Sequence, residues 1–142
     1  MTDQADAHEY PTPEEIIEIH RRALERFGGR PGIRDRDAVA AVLARPEQHR
    51  AYAARACTLG TLAAALAAGF CRIRHPFIDG NKRVAFAAAV YMLYLNGDDL
   101  DDTEHDATRM VLGLSSGDID EATFAAWVDA NRVPLMPEDE TR

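Results

Sequence analysis

This 142-residue chain is short of positive charge, of cysteine and of long apolar stretches, and each shortage removes a class of function. Its 16 lysines and arginines face 24 aspartates and glutamates, for a net charge of −8. Direct nucleic-acid binding rests on a basic face, so none is expected, although a local basic pocket is still allowed. The two cysteines, Cys57 and Cys71, fit a reducing compartment. On one shared helix they would lie about 21 Å apart at 1.5 Å per residue, too far to bridge. The five histidines, at positions 8, 20, 49, 75 and 105, show no zinc-ligand spacing. No apolar run reaches the ~18 residues of a membrane span, and the N-terminus is acidic and polar, unlike a signal peptide. A cytoplasmic protein that binds no membrane is expected. The acidic run Asp98-Asp99-Leu100-Asp101-Asp102 lacks the EF-hand pattern and reads as a solvated loop. Internal repeats are absent.

What remains is a single domain rich in alanine and leucine, with 46% apolar residues. Residues 1–11 are acidic and uncapped and form a flexible extension. Thr12-Pro13-Glu14-Glu15 then opens a helix, with Thr at the N-cap, Pro at N1 and Glu at N3. Ile16, Ile19, Ala23, Leu24 and Phe27 follow a helical period, and Gly28-Gly29 stops it. His20 falls on or beside that inner face as a structural residue. Arg30-Pro31-Gly32 makes a turn and Ile33-Arg34 a short extended piece. Asp35 or Asp37 caps a second helix through Leu43, which Pro46 ends. Residues 45–55 are polar and assign no element. Residues 58–74 form a long helix whose small residues imply close helix packing. A helix from Asn81 to about Leu95 is apolar nearly all round, which marks it as the central one. Asn96-Gly97 ends it. Another helix spans 103–114, and Ser115-Ser116-Gly117 is a turn. Asp118 with Glu121 frames a capping box for a last helix, whose Phe124, Trp127 and Val128 face inward. Residues 134–142 are an acidic flexible tail.

Between the two alanine-rich helices lies His75-Pro76-Phe77-Ile78-Asp79-Gly80-Asn81-Lys82-Arg83. Asn81 is a good N-cap, and Lys82 and Arg83 fall in the first turn behind it. A helix N-terminus carries about half a positive charge, so two cations there are unfavourable unless an anion sits among them. Free backbone N–H groups, the helix dipole and both cations would converge on a phosphate. Gly80 lets the backbone approach closely. Asp79 offers a hard oxygen ligand for the Mg²⁺ that accompanies a nucleotide phosphate. His75 is the one group of the stretch able to take a proton near neutral pH. A base, a metal ligand and an anion cradle within nine residues point to phosphotransfer. The stretch is not a Walker A loop, because Lys82 is followed by Arg83 and Val84.

At these residues the chain resembles the Fic family, whose pattern H-P-F-x-D/E-G-N-G/K-R it matches at every position. Lysine in place of glycine at the eighth position resembles the death-on-curing (Doc) branch of toxin kinases. The similarity runs over residues 12–133 and takes in Leu24-Glu25-Arg26-Phe27-Gly28-Gly29, Pro31-Gly32-Ile33-Arg34-Asp35 and Tyr94-Leu95-Asn96-Gly97. Two positions depart from the branch. Some Doc proteins have alanine where Gly80 stands, and many relatives have threonine where Val84 stands.

The resemblance implies a Fic/Doc-like all-α bundle of about six helices around a central buried helix, spanning residues 12–133. It implies a toxin kinase that uses ATP and Mg²⁺ to phosphorylate a threonine or serine hydroxyl on a translation factor, elongation factor Tu in the relatives. His75 would be the base, Asp79 would hold the metal, and Gly80, Asn81, Lys82 and Arg83 would bind phosphates. The matching family segment also puts Arg34 near the active site, where it either contacts phosphate or a partner or is an ordinary surface arginine. No S/T-x-x-x-E-G/N inhibitory motif is visible, so restraint by a separate antitoxin protein is expected. The alternatives are a Fic-type AMP or other nucleotidyl transferase with the same residue roles, and a binding protein that keeps the fold without turnover.

Overall fold

The computed structural model describes residues 8–52 and 57–136. Six α-helices follow one another in it: α1 (Pro13–Phe27), α2 (Arg36–Tyr52), α3 (Leu59–Ala68), α4 (Asn81–Leu95), α5 (Glu104–Ser116) and α6 (Glu121–Asn131). A π-helical turn, Gly69–Ile73, continues α3. Two short strands, β1 (Asp98–Leu100) and β2 (Arg132–Pro134), pair antiparallel with Asp99 opposite Val133. The expected all-α bundle is therefore the fold observed, with this ribbon added. No helix among the described residues is long and apolar enough to cross a membrane.

A central buried helix is present, but it is α3 and not α4. Eight of the ten residues of α3 are buried. Alanine gives up no side-chain entropy on burial and lets neighbouring helices come close. At Gly60 even a methyl is too large: a Cβ there would lie 2.5 Å from the Asp129 carboxylate and 2.6 Å from the Ala125 carbonyl oxygen of α6. At Gly69 it would meet Val42 of α2 at 2.5 Å. Helix α4 packs Val84, Ala85, Ala88, Ala89, Met92 and Leu93 inward, while Tyr94 stays 57% exposed. Its apolar sequence reflects one buried face together with part of the cleft wall described below.

Helix α1 starts as expected. The Thr12 hydroxyl accepts from the Glu15 N–H, and the Glu15 carboxylate accepts from the Thr12 N–H at 2.9 Å. The Tyr91 hydroxyl of α4 donates to the same carboxylate and holds its pKa below the usual range, with the Thr12 N–H adding to the effect. Of the expected loose segment 1–11, residues 1–7 lie outside the described residues. Residues 8–11 run against the body, where Asn96 bonds both the N–H and the carbonyl of Glu9 and the Tyr10 hydroxyl donates to Glu47.

Three boundaries differ from expectation. Helix α2 continues past Pro46 to Tyr52. Side chains on both sides of the proline tie it down: Arg45 donates to the Ala65 carbonyl and reaches Glu121 at 3.1 Å, and His49 approaches the same carboxylate at 2.9 Å. Helix α6 is capped by Asp120, whose carboxylate accepts from the Thr123 N–H at 2.8 Å. Asp118 cannot take that place, because the Ile119 N–H still bonds back to the Gly113 carbonyl and closes the end of α5. The acidic run at 98–102 is not wholly loop. Asp98–Leu100 form β1 because Arg132 of β2 meets Asp98 at 2.8 Å and neutralises part of its charge. Cys57 precedes α3, Cys71 lies in the π-helical turn, and both are free thiols.

Gly60→Ala should lower stability by about 1–3 kcal/mol through overpacking against α6, read from urea unfolding midpoints. Glu15 has a depressed folded-state pKa, so its contribution is present above the ordinary glutamate range and fades as pH falls through the folded value. Tyr91→Phe should shrink the stability lost between neutral pH and about pH 3, read from melting curves across that range.

Candidate active site

The nine-residue motif begins just after the π-helical turn and runs into the start of α4, and main-chain groups set the shape of the bend between them. In the π-helical turn the Arg74 N–H bonds to the Gly69 carbonyl. The same register would pair the Cys71 carbonyl with residue 76, but Pro76 has no N–H. That carbonyl accepts instead from the His75 ring through Nε2 at 2.9 Å and from the Ser115 hydroxyl of α5 at 3.1 Å. A carbonyl can only accept, so His75 donates to it from Nε2, and in the neutral ring the lone pair is on Nδ1. His75 is the one non-glycine with positive φ, 57°, among the described residues. A left-handed conformation costs such a residue about 1–2 kcal/mol and persists only where surrounding contacts enforce it. The Cys71 thiol itself is inert, because burial pushes its pKa up to about 11.

The far side of the bend is bracketed by the segment that follows α1. Ile33 and Phe77 form an isolated antiparallel bridge. The Arg34 and Asp35 N–H groups both donate to the Pro76 carbonyl, at 2.7 and 3.1 Å, and the Ile78 N–H donates to the Gly32 carbonyl. The expected short extended piece at 33–34 is therefore real, and Arg34 meets the motif through its backbone. The Arg30 N–H donates to Asp79 Oδ2 at 3.0 Å and the Gly80 N–H to Oδ1 at 2.9 Å. These two bonds, Arg30's first, hold the Asp79 carboxyl below the usual range. Gly29 makes the approach possible: with φ at 123°, it would place a Cβ 3.1 Å from Asp79 Oδ2. Phe77 is fully buried, as expected, and anchors the loop in the core.

Asn81 does not cap α4. Gly80 does, with φ at 85°. The Asn81 side chain turns back to Phe77, accepting from its N–H at 3.0 Å and donating to its carbonyl at 2.9 Å. Both polar groups of a buried residue are satisfied by one amide, so the side chain closes the loop. What position 81 can offer an anion is its backbone N–H, together with those of Lys82 and Arg83, which have no partner within the helix. Lys82 and Arg83 are exposed, and the Arg83 guanidinium lies 4.2 Å from the centre of the Phe27 ring of α1.

His75, Asp79, Gly80, Asn81, Lys82 and Arg83 all line one cleft of about 1040 Å³ between α1, α4 and α5. Arg22 and Arg26 add charge from α1, and Asp102 and Glu104 stand in the lining opposite in sign. Desolvation, followed by neighbouring Asp101 and Asp106, raises the Asp102 pKa. No group of three or more His, Cys, Asp or Glu residues among the described residues could hold a metal alone. The donor set is one ionised carboxylate beside an anion cradle. That suits Mg²⁺, which is commonly held by one or two carboxylates together with phosphate and water, and does not suit zinc or a calcium cage.

All six residues singled out in the motif thus share one cleft. The contributions of Gly29, Arg30, Ser115 and Phe27 were not visible in the sequence, because each acts from a distant segment. Only Gly28-Gly29 left a signal, and it read as a helix stop.

The family model of the Fic/DOC family matches residues 10–93. The chain is also 31% identical over 114 residues to "Protein kinase doc" of Escherichia phage P1, an alignment covering 80% of this chain and 88% of that protein.

Asn81→Ala should leave the Phe77 N–H and carbonyl unpaired and cost about 1–3 kcal/mol in unfolding free energy. Asn81→Asp keeps the acceptor and loses the donor, so its melting point should fall between those of wild type and Asn81→Ala.

Proposed function

Since the chain belongs to the Fic/DOC family, we propose that it is a Doc-like toxin kinase that moves the γ-phosphoryl of ATP to a serine or threonine hydroxyl of a translation factor. Elongation factor Tu is the expected target and the cytoplasm the expected site of action. The observation that carries this reading is that His75, whose Nε2 is taken by the Cys71 carbonyl, shares a cleft with Lys82 at a helix start that has no side-chain cap. Lys82 fills space that glycine would leave open and adds a point charge, which favours binding the triphosphate with its γ-phosphorus toward the target hydroxyl. The Fic-type residues for a base, a metal ligand and an anion cradle are all present.

His75 Nδ1 takes the proton of the target hydroxyl as that oxygen bonds to the γ-phosphorus. The bond from this phosphorus to the bridging β–γ oxygen breaks, and ADP leaves. Lys82, Arg83 and the first N–H groups of α4 hold phosphate oxygens and oppose the charge that builds up on them. Mg²⁺, when bound through Asp79, supplies further charge neutralisation. Positioning and electrostatics provide most of the rate in such a step, which suits a site mounted on packed helices.

A partner antitoxin is expected to restrain this activity by laying a segment into the cleft. The apolar lining from Ile19, Ala23, Phe86, Val111 and Leu112 supports that mode, because an amphipathic helix buries such a face on binding. Gly80 leaves room for a second reading, an AMP or other nucleotidyl transferase, because some Doc proteins have alanine at that position and the motif is intermediate between the two branches.

Label from [γ-³²P]ATP should pass to elongation factor Tu and label from [α-³²P]ATP should not. His75→Ala should slow transfer by ~10²–10⁴-fold while the protein stays folded. Transfer of α-label would replace the kinase reading with nucleotidyl transfer, and failure of both labels with several translation factors would favour a silent binding protein. Lys82→Gly should weaken γ-transfer.

A further inference from the structure

His20 is the one buried polar or charged side chain among the described residues outside the apolar core, at 5% exposure. An imidazole in that position is unfavourable unless its polar atoms are bonded, and an apolar side chain of similar size would fill the space without that penalty. Its Nε2 lies 2.8 Å from the main-chain carbonyl of Asp79, which can only accept. The His20 ring therefore donates an N–H to the loop residue whose carboxylate lines the cleft. The same ring stacks on Phe77 at 4.0 Å between centroids and 12° between planes. Gly80 lies directly over it, since a Cβ there would stand 3.6 Å from the His20 ring. One side chain of α1 thus touches the first and third residues of the segment 77–80 and borders the fourth.

We propose that His20 is a positioning residue for the reaction: its N–H to the Asp79 carbonyl and its stack on Phe77 fix the loop that presents the Asp79 carboxylate. The carboxylate is held from in front by the Arg30 and Gly80 N–H groups, and the peptide behind it is held by His20. Without the second hold, the peptide between Asp79 and Gly80 is free to rotate, and Gly80 offers little steric resistance to that rotation. The mount is rigid, because α1 is locked by its capping box and by Tyr91 of α4. Small displacements of a positioned group are expensive in rate, up to ~10²-fold for about 1 Å. The kinetic part of this proposal rests on the kinase reading above, whereas the structural part stands without nucleotide.

The test compares wild type with His20→Phe, which keeps the stack but lacks the donor, and His20→Gln, whose side-chain amide restores an N–H near the position of Nε2. In the nucleotide-free protein, hydrogen exchange of the Arg30 and Gly80 amides should quicken at least about tenfold in His20→Phe and return to within about threefold in His20→Gln, with the α3 amides unchanged. Under γ-label transfer, kcat should fall at least about tenfold in His20→Phe with KM for the protein target unchanged, and recover in His20→Gln. Wild-type exchange at the loop amides of His20→Phe would overturn the proposal. So would equal acceleration throughout α3, which is the behaviour of a core filler, and so would failure of the glutamine to recover the loop. A measurement needing no variant is the ¹⁵N spectrum of the wild-type imidazoles: His20 protonated at Nε2 supports the proposal, and Nε2 without a proton overturns it. If wild type transfers no γ-label, the kinase reading falls, while loop exchange and the tautomer still decide the role of His20.

Discussion

The shape of the site depends on the carbonyl of Cys71. It is left without a main-chain partner because the chain there winds as a π-helical turn and the residue that would pair with it is Pro76. An unsatisfied buried carbonyl is costly, so something must donate to it, and the His75 ring and the Ser115 hydroxyl do. That single acceptor settles which nitrogen of His75 holds the proton, keeps the residue in a left-handed conformation, and ties α5 to the loop. Proline at 76 is thus chemically active in the design: it withdraws an N–H and so recruits the imidazole.

Charge follows the same economy of place. The protein carries a net charge of −8, yet Arg22, Arg26, Lys82 and Arg83 all line the cleft. Two of them sit at a helix N-terminus, where the dipole opposes them. Arg83 lies against the Phe27 ring, an interaction of about 0.5–1 kcal/mol at an exposed site. A phosphate offers both cations and the helix N–H groups stronger, charge-assisted bonds than the ring does. The anion the sequence implied is the group that would remove the conflict between dipole and cations.

Much of this was legible in the sequence where one short segment carries the whole signal. Thr12-Pro13-Glu14-Glu15 specifies its own helix start, Gly28 its end, and the motif its own chemistry. Legibility failed where a distant residue overrides a local preference. Pro46 should end α2, but Arg45 and His49 fasten the helix to Ala65 and Glu121. Asn81 has the best N-cap side chain in its region, yet Phe77 uses both ends of its amide and Gly80 makes the cap. The charged run at 98–102 looked like loop because Arg132, which offsets Asp98, lies at the other end of the domain. His20 was read as structural, and it is buried; its bond to Asp79, 59 residues away, has no trace in the local pattern.

That last separation bears on how such a site can be held at all. The motif brings the candidate groups together and closes on itself through Asn81 to Phe77 and Gly80 to Asp79, but its other main-chain donors and acceptors must be paired from elsewhere. Order comes from α1 and the segment after it, which contribute the His20 ring, the Gly32 carbonyl and the N–H groups of Arg30, Arg34 and Asp35. These contacts are mostly main-chain, so they constrain sequence weakly except where a side chain would intrude, as at Gly29. The consequence is a division of labour. The recognisable pattern is concentrated in residues 75–83, and much of its support comes from residues 20–35, where only the folded arrangement reveals it. A substitution in the second region that leaves the motif intact still removes part of this outer support, because the Asn81 bonds to Phe77 close the loop without reaching His75.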